Sequence, residues 1–152
     1  MGGTNDTHGQ RKKLSRGERA ERVVAARLST LPADDFIVLN DVQATYGNID
    51  HLVIRHDGAI FLIETKSHVG TVTWNGRELL LSGKPFRKNY LCQTNRNIRW
   101  LRREIKANDR TNPWVVAILI FPFARVKIRG PAKRINVLGL NRLRSVLRCS
   151  LL

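Results

Sequence analysis

The chain has 152 residues, 42% of them hydrophobic, enough for one buried core and too few to divide comfortably into two. Its 27 Lys and Arg against 12 Asp and Glu leave a formal charge of +15, which favours a polyanionic partner, nucleic acid or an anionic membrane surface, without choosing between them. The longest apolar run, 114–123, falls short of the roughly 18–20 residues of a membrane span and contains Pro122, so a transmembrane role is not supported.

Residues 1–12 are polar and Gly-rich with no apolar signal region, and Asp6 stands where myristoylation needs Ser or Thr. They are expected to be a disordered lead to a single domain, 13–152, and the expected location is cytoplasmic. Ser15 with Glu18 fits a capping box, and Ala20, Val23, Val24, Leu28 and Leu31 recur at helical spacing until Pro32. Short β-rich runs follow at 36–39, 49–55 and 59–65, with Asp57-Gly58 marking a tight turn between the last two. Runs 71–74 and 78–81 flank Asn75-Gly76, the pair favoured in a type I′ hairpin turn.

From 86 to 107, Leu91, Ile98, Leu101 and Ile105 line one face of a predicted helix while Arg99, Arg102, Arg103 and Lys106 gather on another. A buried strand, 114–121, closes at Pro122; a shorter one spans 134–138, and a basic helix with Leu140, Leu143, Val146 and Leu147 ends the chain. The order α, several β, α, β, β, α predicts an α/β sandwich around one mixed sheet. Cys92 and Cys149 have no neighbours at metal-ligand spacing, so neither a disulfide framework nor a zinc site is indicated; both are expected as reduced, partly buried thiols.

The chemistry-bearing stretch is Asn48-Ile49-Asp50-His51-Leu52, followed after the turn by Ile63-Glu64-Thr65-Lys66. If the two strands pair about Asp57-Gly58, residues whose numbers sum to about 115 lie opposite, bringing Asp50 near Thr65 and close to Glu64 and Lys66. Glu64 and Lys66 share a face, with Thr65 turned away and its carbonyl able to serve the site. Two carboxylates and a carbonyl suit a hard cation such as Mg²⁺ (or Mn²⁺), with Lys66 beside them to assist an attacking water or stabilise phosphoryl charge. Glu-x-Lys at a strand end is by itself an ordinary solvated pair; here both acids are set among apolar strand residues, where a charge needs a partner or a metal. His51 alternates to the opposite face and is given a structural role first, His68 lies within reach of the site, and His8 and His56 carry no indication.

These motifs resemble the NERD (nuclease-related) domain family, a branch of the PD-(D/E)XK nuclease superfamily. The resemblance is carried by Gly17 to Glu21, by Leu39-Asn40-Asp41-Val42, by Ile49-Asp50-His51, by Ile63-Glu64-Thr65-Lys66 with Gly70, and by Lys88-Asn89 with Gln93. Tyr90 replaces the proline that usually follows the asparagine. The resemblance implies a restriction-endonuclease-like fold, Asp50 and Glu64 as metal ligands, Lys66 as catalytic lysine, and Glu21 and Gln93 as supporting polar residues. Lys88, Arg96, Arg99 and Arg103 are the candidates for holding a phosphate backbone, with Trp74, Tyr90 or Trp100 available to stack on a base. The expected function is a Mg²⁺-dependent nuclease acting on DNA. The alternatives are a non-catalytic DNA-binding module on the same fold and, more weakly, a membrane-surface protein, which would want a broad aromatic-rich apolar helix face.

Overall fold

The structure, a computed structural model, describes residues 12–45, 47–109 and 112–149. Apart from residue 12, the expected lead therefore lies outside the described residues. In chain order the elements are α1 (Arg16–Leu28), β1 (Phe36–Ala44), β2 (Gly47–Arg55), β3 (Ile60–Thr65), β4 (Gly70–Trp74), β5 (Leu79–Leu81), β6 (Lys84–Pro85), α2 (Tyr90–Asp109), β7 (Val115–Ile120), β8 (Ala124–Val126), β9 (Ile135–Leu138), a 3-10 turn and α3 (Leu143–Arg148).

α1 starts where its sequence says. The Glu18 N–H donates to Ser15 Oγ at 3.1 Å and the Ser15 N–H to Glu18 Oε2 at 2.7 Å, satisfying two amides that the first helical turn leaves without partners. Its buried stripe is Ala20, Val24 and Leu28. α2 opens on Asn89, whose Oδ1 accepts the Cys92 N–H at 3.0 Å, so Tyr90 takes the first helical position without a proline there.

The central sheet runs β1-β2-β3-β7-β9. Its first three strands are an antiparallel meander, whereas β3, β7 and β9 are parallel. Both faces are covered. Leu91, Ile98 and Leu101 of α2 pack with Leu62, Ala117 and Leu119, while Val24 and Leu28 of α1 and Leu143 and Leu147 of α3 pack with Phe61, Ile63, Ile118 and Ile120. Burial on both sides explains why β3 and β7 read as continuous apolar runs, each fully buried side chain contributing about 1.5–3 kcal/mol.

The β2–β3 register differs from expectation by one residue. His51 faces Ile63 and Leu52 faces Leu62, so paired numbers sum to 114. The cause is a three-residue loop, His56-Asp57-Gly58, closed by the Arg55 N–H on Ala59 O at 2.9 Å, with Gly58 at φ +89°. A two-residue Asp-Gly turn would have centred the hairpin half a step later. The Asn75 turn shifts likewise: Trp74 faces Leu79, and positive φ (+92°) is found at Gly76 and not at Asn75, whose Oδ1 instead accepts the N–H groups of Arg77 and Glu78. Gly76-Arg77 is thus the central pair, with glycine first as in type II′ turns, and the expected type I′ turn does not form.

A second sheet, β6-β5-β4-β8, was not foreseen as separate, and β8 was not foreseen at all because three residues centred on Arg125 carry no periodicity. Gly70 begins β4 at φ +131°, and a Cβ there would lie 2.7 Å from Ser82 Oγ, so this close approach needs glycine. Both cysteines are exposed, contrary to expectation: Cys92 falls on the outer face of α2 and Cys149 follows α3.

Arg55 ends β2 as a buried cation. It pairs with Asp57 at 2.7 Å and donates to the carbonyls of Leu147 at 2.9 Å and Cys149 at 2.7 Å, capping the C-terminal end of α3. Among the described residues no helix is long and apolar enough to cross a membrane.

Candidate active site

One step beyond the His51–Ile63 pair, β2 and β3 bring Asp50 and Glu64 across from one another at the end of the central sheet. Glu64 shares the face of Leu62, the α2 side, and Asn97 of α2 donates from Nδ2 to its Oε1 at 2.9 Å. Asp50 Oδ2 accepts the Thr65 N–H at 2.7 Å. Each carboxylate is thus held through one oxygen, and the two side chains are also hydrogen-bonded to one another. The Thr65 N–H and carbonyl point to the same edge of β3, so that carbonyl faces β2 and Asp50, while Lys66 N–H goes the other way to Ile120 O at 2.9 Å.

These residues line a cleft of about 300 Å³ together with Glu21 of α1, Asn48 of β2, and Gln93 and Arg96 of α2. Of the residues singled out from sequence, the fold therefore gathers Asp50, Glu64, Thr65, Lys66, Glu21, Gln93 and Arg96 in one place. Lys88 and Arg99 line neighbouring hollows instead, and Arg103 is exposed on α2. Asn48 and Asn97 were given no role of their own, although Asn48 opens the chemistry-bearing stretch and Asn97 shares the helical line of Gln93, a polar face that could meet the site. Their signals were present: Asn48 stands two residues before Asp50 on its strand, and Asn97 one helical turn after Gln93.

The electrostatics are those of crowded acids. Burial, and then the negative charge of Asp50, push the Glu64 carboxyl from an ordinary value of 4.5 up to about 8, against the opposing Asn97 hydrogen bond and Lys66 charge. Glu21 is also raised, by burial first and then by Asp50, Asp41 and Glu18. Lys66 closes no ion pair with either carboxylate among the described residues; its ammonium lies 4.5 Å from the centroid of the Tyr90 ring. The Tyr90 hydroxyl and His68 Nε2 are hydrogen-bonded at 2.8 Å, and His68 packs edge-on against Phe86 at 5.0 Å. Burial and nearby cationic charge lower the His68 pKa.

His51 faces away from Glu64, as alternation requires. Its Nδ1 lies 2.8 Å from Asn40 Oδ1, and burial lowers its pKa, favouring neutral imidazole. Its Nε2 and Thr65 Oγ1 are buried atoms without hydrogen-bond partners among the described residues.

The metal donors that the cleft offers are oxygens, the Asp50 and Glu64 carboxyl groups and the Thr65 carbonyl, and a cation there would replace the proton that the raised Glu64 pKa keeps between the two acids. Among the described residues, no group of three or more His, Cys, Asp or Glu side chains is placed to hold a metal ion, so the two carboxyl groups would need the carbonyl and waters to complete a coordination shell. The residues thus fit an open site for a hard divalent cation, one that retains waters as Mg²⁺ does.

A mixed sheet covered by helices, with two acids and a lysine converging at one end, defines the class as an α/β domain with an acidic cleft at the sheet's end. The profile of the nuclease-related domain family (NERD) matches residues 16–122, and the chain belongs to that family. The structure is also similar to that of EndoMS in complex with double-stranded DNA, with TM-score 0.46 and 18% identity over 84% of this chain and 46% of that one. A repair endonuclease from Pyrococcus abyssi is similar with TM-score 0.37 and 16% identity, over 78% of this chain and 47% of that one. The chain spans under half the length of either protein, and likenesses this loose carry no residue roles across. Comparison with curated proteins gave no match.

Proposed function

We propose that this protein is a divalent-cation-dependent nuclease that hydrolyses phosphodiester bonds in DNA, with Mg²⁺ or Mn²⁺ held by Asp50, Glu64 and the Thr65 carbonyl. The observation that supports it most is the convergence of both acids: Thr65 N–H holds Asp50 and Asn97 Nδ2 holds Glu64, so that the two carboxyl groups meet at one point. A bound cation supplies Lewis-acid neutralisation of charge at the scissile phosphate. Lys66 places a positive charge beside the same point, where it stabilises the extra negative charge of the pentacovalent transition state. Glu21, at the cleft wall with a raised pKa, is suited to pass a proton to or from water. Gln93 and Arg96 line the α2 side and orient phosphate oxygens. The formal charge of +15 makes nucleic acid the favoured substrate class.

The test is cleavage of supercoiled plasmid and labelled single-stranded DNA with Mg²⁺, Mn²⁺ or EDTA, beside Lys66→Ala. Metal-dependent cutting is expected, reduced about 10²–10³-fold in the variant with affinity in EDTA unchanged. Binding without cutting in every metal would replace this reading with a non-catalytic DNA-binding module.

A further inference from the structure

Beyond the carboxylate cleft, α2 presents a second concave surface. Cys92, Asn95, Arg99 and Arg102 line a hollow of about 380 Å³ that also takes in Asn89 and Lys133. Asn89 and Lys133 recur in an adjoining hollow of about 620 Å³ with Arg77 and Glu78 from the β4–β5 turn. A third, of about 170 Å³, continues past Arg87 and Lys88. The three share residues and so form one trough. On the α2 wheel, its residues 92, 95, 99 and 102 centre about 130° from the cleft residues 93, 96 and 97, so trough and cleft use different faces of one helix.

We propose that this trough holds the sugar-phosphate backbone of a nucleic-acid strand, as a binding site separate from the cleft. Charge is the first reason. Arg77, Arg87, Lys88, Arg99, Arg102 and Lys133 line it against one carboxylate, Glu78, and none of the six is in an ion pair among the described residues. A row of uncompensated cations in a concave surface focuses potential on a polyanion.

The second reason is the backbone at Lys133. Ala132 and Ile135 exchange both N–H···O bonds at 2.9 Å, and the residues between them, Lys133 and Arg134, have φ of +47° and +67°. That is the signature of a type I′ turn, whose two central positions favour Asn-Gly because a Cβ resists positive φ. Here two long basic side chains occupy them. Of the two, Lys133 lines the trough and Arg134 is exposed beside it, so a strained turn holds a cation at the trough's edge. Asn89 completes the lining: its Oδ1 caps α2, so its Nδ2 is the atom left to donate to a ligand.

This inference rests on the reading of the protein as one that engages nucleic acid, but not on its catalysis, so it is tested by binding in EDTA. The probe is a fluorescein-labelled single-stranded oligodeoxynucleotide of about 16 nucleotides, followed by anisotropy across a salt series. Two variants of the full chain are compared with the parent. Lys133→Asn with Arg134→Gly gives the turn its preferred residues, so the melting temperature is expected to rise by about 2–4 °C while affinity falls about five- to tenfold. Arg99→Glu with Arg102→Glu is expected to weaken binding about a hundredfold and to flatten the log–log salt slope by roughly 0.7 for each phosphate that is no longer neutralised. Parental affinity in both variants would overturn the proposal, as would a loss of binding to anionic phospholipid vesicles without any loss toward the oligonucleotide. Failure of the nuclease reading is a different result: no cutting in any metal, with the binding differences intact.

Discussion

The two sheets put their residues to different uses. In the central sheet, β3 and β7 are buried along nearly their whole length, and polar groups appear only where those strands end, at Glu64 and Thr65. In the small sheet, β4 has one buried residue, β5 one, and β6 and β8 none. Rigidity and basic surface are therefore separated: the acids stand on strands that cannot shift without opening the core, while the small sheet carries the β4–β5 turn that forms one wall of the basic trough. A divalent-cation site needs the first kind of support, because oxygen ligands must hold position within tenths of an ångström, whereas a phosphate backbone tolerates the second.

The sharpest way to break this contrast is a matched pair of truncations. Leu62→Ala in the central sheet is expected to cost about 2–5 kcal/mol in denaturant unfolding, and Leu80→Ala in the small sheet about 1 kcal/mol. Equal losses would mean that Leu80 is as tightly packed as Leu62 and that the contrast between the two sheets fails. Next comes the charge held at the end of the rigid sheet. The Glu64 pKa is raised on folding, so its stabilising contribution is complete below about 4.5 and is lost as pH rises through about 8. Glu64→Gln is expected to remove that slope, to raise stability at pH 9 by on the order of a few kcal/mol in EDTA, and to abolish stabilisation by Mg²⁺ in thermal melts.

Gly70→Ala probes the small sheet where backbone geometry rather than burial holds it; positive φ and the Ser82 contact predict a loss of about 1–3 kcal/mol, larger than that of Leu80→Ala. The smallest expected effect links the two regions. Tyr90→Leu removes the ring under Lys66 and should slow cleavage about two- to fivefold, while Tyr90→Phe retains the ring and the rate. A full loss in the phenylalanine variant would shift the weight to the Tyr90–His68 hydrogen bond.

Much of this arrangement was legible beforehand because local signals agreed with the fold. The Ser15 box, the apolar stripes of α1 and α2, and the runs of β3 and β7 each reflect one burial pattern. Turn geometry was less legible. Asp57-Gly58 and Asn75-Gly76 both mark hairpins, yet loop length depends on which flanking residues close the ladder, and Arg55–Ala59 and Trp74–Leu79 do so in ways the dipeptides alone do not encode. The site was read as a set of charges; the two asparagines were assigned no role because an amide's value depends on its partner, which for Asn97 is Glu64, 33 residues away. The small sheet was hidden for a related reason: strands of two or three residues have no period to detect.

Arg55 has a practical corollary for anyone attaching something to this protein. It grips the chain after α3 at the end of β2 that lies five residues, or roughly 17 Å, from Asp50. At the other terminus, Leu14 and Glu18 line a hollow that Asp50 and Glu21 also line. A fluorophore or affinity handle attached at residue 149 therefore sits at the far end of the sheet from Asp50, whereas the same attachment at residue 14 stands beside the acids.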